Sequence, residues 1–167
     1  MAEDAGRSER RGWHVASWPW LAWLETVIKL AALAVALAAL VRALGGGALE
    51  LPDGVNLARW VILIVLSLGL VSALFDRLQD RELVAMAFVV INNLGHWGMV
   101  VAMAVAPGPG WRLSAFCGLM LLGDLVKLVF IKVHNYRVRD LPQGVLYWLT
   151  GAYVVAYAVI LTLGWWV

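Results

Sequence analysis

Residues 111–132 read WRLSAFCGLMLLGDLVKLVFIK, and they decide the fold class. An apolar run of about 20 residues is the length a helix needs to cross roughly 30 Å of hydrocarbon. This run carries Asp124 and Lys127 well inside it. On the mildest insertion scale such a charge costs about 2.5–3.5 kcal/mol at a helix centre, so charges of this kind face other helices and find partners. The other oppositely charged pair inside an apolar run is Glu25 with Lys29, near the start of the chain.

The composition extends this reading to the whole chain. Of 167 residues, 63% are hydrophobic and 14% charged, and the mean hydropathy is +0.83, values that leave too little polar surface for a water-soluble domain. The apolar segments are continuous instead of alternating, which excludes a β-barrel. The expectation is an all-α polytopic integral membrane protein, a five-transmembrane-helix bundle. A polar cytoplasmic tail (1–16) precedes a single membrane domain (17–167), with spans at about 18–44, 58–75, 83–106, 111–133 and 145–166.

Punctuation supports these limits. Ser17 suits an N-cap with Pro19 in the first turn, and Gly45–Gly47 stop the first span. DRLQDRE (76–82) reads as a tight charged turn, and PGPG (107–110) breaks the third span from the fourth. Asp140 and Gln143 have the spacing of a capping box, with Pro142 in the first turn of the last helix. The first apolar run is too long, and too interrupted by charge, for a cleaved signal peptide.

Five spans put the termini on opposite sides. With the N-terminus cytoplasmic, the inner side holds Arg7, Arg10, Arg11, Arg77, Arg81, Lys132, Arg137 and Arg139, against Arg42, Arg59 and Arg112 outside. This positive-inside bias predicts a cell (inner) membrane protein with its C-terminus outside. Trp18, Trp20, Trp23 and Trp148 then mark one interface, and Trp60, Trp111, Trp165 and Trp166 the other; Trp97 alone falls mid-span.

At 1.5 Å per residue, Glu25 and Lys127 lie about 8 Å below the inner interface, and Lys29 and Asp124 about 12–14 Å. Two crossed pairs are therefore expected, Glu25 with Lys127 and Lys29 with Asp124, with Ala32, Ala36 and Ala39 allowing the first and fourth helices to approach. Asn92, and His96 one turn on, fall near the same depth. Helices one, three and four should thus enclose a polar layer that helices two and five shield.

Two functions fit such a layer. One is a transport or permeation protein whose solute, ion or proton site comprises Glu25, Lys29, Asn92, His96, Asp124 and Lys127, with His96 sensitive to pH near neutrality if water reaches it. The other is a non-catalytic membrane subunit or scaffold in which the charges are internal staples. Arg77, Arg81, Lys132, Arg137 and Arg139 would then meet anionic lipid or a partner. Membrane lipids and a second copy or another membrane subunit are the expected partners; nucleic acid is not. No HExxH, GxSxG or Walker sequence is present, and one cysteine (Cys117) makes neither a disulfide nor a metal cage, so no catalytic residue, metal or cofactor is expected.

Overall fold

The structure, a computed structural model, describes residues 18–46, 49–80, 83–105, 110–136 and 142–166. Their regular structure is entirely helical: α1 (Trp20–Leu44), α2 (Gly54–Asp80), α3 (Leu83–Val105), α4 (Trp111–Val133) and α5 (Gln143–Leu163), then a 3₁₀ turn (Gly164–Trp166). Each of the five helices contains a segment long and apolar enough to cross a membrane.

The helix limits refine the punctuation. Pro19, with extended backbone, is the N-cap residue of α1, so the helix starts after the proline. Ser17 lies outside the described residues. α2 continues through Asp80, so Asp76–Asp80 are helical and the turn expected over 76–82 is shorter. No Gly or Pro falls between residues 76 and 82, and Arg, Leu and Gln all propagate a helix readily. α5 begins at Gln143, with Pro142 as its N-cap residue; Asp140, the other half of the expected capping box, lies outside the described residues. Gln143 instead donates its side-chain amide to the Ile131 carbonyl at 3.0 Å. The same carbonyl accepts the backbone N–H of Tyr136, and Asn135 takes the left-handed conformation (φ 47°) that closes α4. Asn is the residue, after Gly, that tolerates this geometry best.

Packing orders the helices in a ring: α1 beside α4, α4 beside α5, α5 beside α2, α2 beside α3, and α3 beside α1. The strongest packing is of α1 into the groove between α3 and α4. Ala32, Ala36, Ala39 and Ala43 are buried there. The small face is shared, because Gly98 of α3 lies against Ala36 and Gly95 against the backbone of Leu33. Small side chains let helix backbones approach closely, which compensates for the weak driving force between apolar helices.

Leu63, Met99, Phe116, Cys117, Met120, Tyr157 and Ile160 fill the centre of the ring. Trp60, expected at an interface, donates its indole N–H to the Val100 carbonyl at 3.0 Å and ties α2 to α3. Trp97 packs against the core, while Trp20, Trp111, Trp148 and Trp165 are exposed.

Candidate functional site

The polar centre of the bundle is an ion triad on α1 and α4. The Lys29 ammonium lies 2.7 Å from Oε1 of Glu25, one turn earlier on its own helix, and 2.7 Å from Oδ1 of Asp124 across the interface. The Lys29 and Asp124 side chains are 4% and 7% exposed and that of Glu25 18%, so the triad is closed at its centre and open at one edge. Gly123 lets the Lys29 stem pass: a Cβ there would stand 3.1 Å from Lys29 Cγ.

The expected pair of Lys29 with Asp124 is thus present. Glu25 accepts from the Lys29 ammonium at 2.7 Å as well. An i,i+4 Glu–Lys pair is already adjacent on one helix face, so Glu25 reaches Lys29 without any interhelical span. Lys127 follows Asp124 by one turn and is half-buried. The triad brings two carboxylates to one ammonium.

His96 does not join this triad. Its fully buried ring lies against the edge of Phe116, with centroids 5.2 Å apart. Nδ1 lies 2.7 Å from the Asn92 backbone carbonyl, which can only accept, so Nδ1 donates. Nε2 then accepts from the Tyr157 hydroxyl at 2.6 Å. That is a complete set of partners for a neutral imidazole. Asn92 contributes its carbonyl to His96, and its side chain is half-buried.

The neighbouring Asn93 is buried and donates Nδ2 to the carbonyls of Leu70 and Val89 at 3.0 and 2.9 Å, and its Oδ1 has no partner among the described residues. Tyr153 donates to the Leu66 carbonyl at 2.9 Å. α5 therefore joins the polar interior through Tyr157 and Tyr153, where it was expected only to shield it.

A second polar knot involves Arg59, expected at the outer rim but only 1% exposed. Nε donates to the Ile160 carbonyl at 3.1 Å, Nη1 to Asn56 Oδ1 at 3.1 Å and Nη2 to Ser114 Oγ at 2.9 Å. One guanidinium thus joins α2, α4 and α5. No carboxylate pairs with it among the described residues. The clue in the sequence was Arg59 lying four residues after Val55, already within the helical run, instead of in the connector.

Of the basic residues expected to meet lipid, Lys132 is exposed in the last turn of α4. Arg77 belongs to the final turns of α2. Arg81, Arg137 and Arg139, with the tail of residues 1–16, lie outside the described residues. No group of three or more His, Cys, Asp or Glu able to hold a metal occurs among the described residues.

The Tyr157 hydroxyl supplies a testable contribution. Tyr157→Phe leaves His96 Nε2 buried without a donor, a loss of about 1–3 kcal/mol. Tyr153→Phe only frees a carbonyl that also accepts within its helix, and should cost about 0.5–1.5 kcal/mol. Thermal unfolding of both variants in one detergent checks the order.

The fold and its polar knots define a class: an all-helical protein whose five helices are each long and apolar enough to cross a membrane. No family model, curated protein or solved structure matches the chain.

Proposed function

We propose that this is a multi-pass protein of the cell membrane, with its N-terminus cytoplasmic, that serves as a non-catalytic membrane subunit or scaffold. The observation that supports this reading is the double engagement of Lys29. Both carboxylates within reach are spent on one ammonium at 2.7 Å, which locks α1 into α4. His96 is similarly occupied on both ring nitrogens. Side chains satisfied by one another hold helices in register and present no free group to a passing solute. The exposed apolar side chains on every helix fit a lipid or protein environment around the ring.

One observation favours the alternative of a pathway for a solute, ion or proton. Glu25, the edge member of the triad, is partly exposed. A carboxylate that water can reach can exchange a cation or proton. Asp124→Asn separates the two readings. For a scaffold, the variant loses thermal stability, because Lys29 keeps only Glu25 as an anionic partner, and proteoliposomes pass no more protons or cations than empty ones before or after the change. For a pathway, wild-type proteoliposomes conduct and the variant, still folded, does not.

A further inference from the structure

A groove of about 680 Å³ opens between the end of α1 and the start of α4. Val35, Ala38 and Ala39 contribute an apolar wall, while Arg42, Trp111 and Arg112 stand at the helix ends. The two helices run antiparallel, since Arg42 and Trp111 share one end of the pair while Lys29 meets Asp124 further down it. Arg42 and Trp111 are exposed, and the Arg112 guanidinium lies 5.8 Å from the centroid of the Trp111 ring. Neither arginine forms an ion pair among the described residues. Leu37 and Val41, also on the groove, are exposed.

Two cations therefore stand at one end of an apolar trough. A wholly apolar helix would fill the trough but leave the two arginines without a counter-charge. An anionic amphiphile fits both parts. Guanidinium binds phosphate oxygens in a planar fork, and an alkyl chain matches the trough below. Trp111 is of the type that settles at headgroup depth.

We propose that this groove binds an anionic phospholipid, its phosphate held between Arg42 and Arg112 and one acyl chain lying along Val35, Ala38 and Ala39. The site is independent of whether the triad staples or conducts. It requires only that α1 and α4 lie in a bilayer.

The test uses the full chain in nanodiscs of phosphatidylcholine containing a minor fraction of phosphatidylglycerol, with retained lipid counted by native mass spectrometry after release into detergent. The wild type should retain phosphatidylglycerol preferentially. Each arginine is worth about a five-fold change in binding, so R42Q/R112Q should lower retention by about ten- to thirty-fold. Ala38→Trp fills the trough without touching the charges and should abolish retention of the same lipid. Thr162→Val, exposed on α5 and not among the residues lining the groove, should change nothing. Equal retention of the two lipids by the wild type, or undiminished phosphatidylglycerol on either groove variant, overturns the proposal. So does occupancy by a second copy: if Ala38→Cys cross-links chain to chain in lipid-rich nanodiscs, the occupant is protein. Should R42Q/R112Q unfold, Ala38→Trp alone decides.

Discussion

Replacing Lys29 with methionine is expected to remove most of the folded protein. Methionine keeps the length of the aliphatic stem, so the packing against Gly123 survives. What disappears is the ammonium that lies 2.7 Å from both Glu25 and Asp124. Two carboxylates then share one enclosed space without the ammonium that joined them. Breaking a buried ion pair from one side costs about 3–5 kcal/mol, a large fraction of the roughly 5–15 kcal/mol by which a domain is stable.

The same physics predicts recovery. Lys29→Met combined with Asp124→Leu removes the charge on both sides of the interface and should regain much of the lost melting temperature, because an apolar replacement of a buried pair is often neutral or better. Glu25→Gln should be milder than Lys29→Met, since Glu25 is partly exposed and Lys29 retains Asp124. Yield and thermal unfolding in detergent report all three. If Lys29→Met is as stable as the wild type, the triad does not hold α1 in place.

Arg59→Met should be the second most damaging substitution. The guanidinium donates from all three nitrogens, to Ile160, Asn56 and Ser114, and so spans three helices. Methionine would leave the Ser114 and Asn56 side chains without that donor in a closed space, at an expected cost of about 3 kcal/mol. Arg59→Lys should recover only part of this. Its ammonium is a compact donor on a flexible stem and cannot reproduce the planar fork.

Space at this knot is also limited. A Cβ on Gly164 would sit 2.7 Å from Arg59 Nη2, so Gly164→Ala should lower the melting temperature in the wild type and much less in Arg59→Met. Differential unfolding of the four proteins checks this coupling. Equal effects of Gly164→Ala in the two backgrounds would show that the glycine does not serve Arg59.

Some of this architecture is written locally. Asp124 inside a 22-residue apolar run could hardly face anything but another helix, and its depth matched that of Lys29 once the antiparallel order was assumed. The alanines at 32, 36 and 39 likewise announced a close helix contact. Depth along a helix is one-dimensional information, and length and hydropathy carry it.

Which neighbour a side chain turns toward is not. Glu25 had two cations at suitable depths, and it pairs with the one on its own helix face. His96 shared a depth with Lys29 but turned to Tyr157 on α5. Asn93, not Asn92, is the asparagine buried against α2. Arg59 resembled an interfacial arginine, because nothing near it in sequence announces Ser114 or Ile160.

By itself, then, the order of residues determined five apolar helices, their approximate ends and the heights of the charged groups, because span length, helix-breaking residues and the cost of burying charge all act locally. The tertiary structure decided the ring order, the seating of α1 between α3 and α4, and the partners that His96, Asn93, Arg59 and Asp124 find on other helices. Those choices depend on helix rotation and on contacts between segments up to 101 residues apart, as for Arg59 and Ile160.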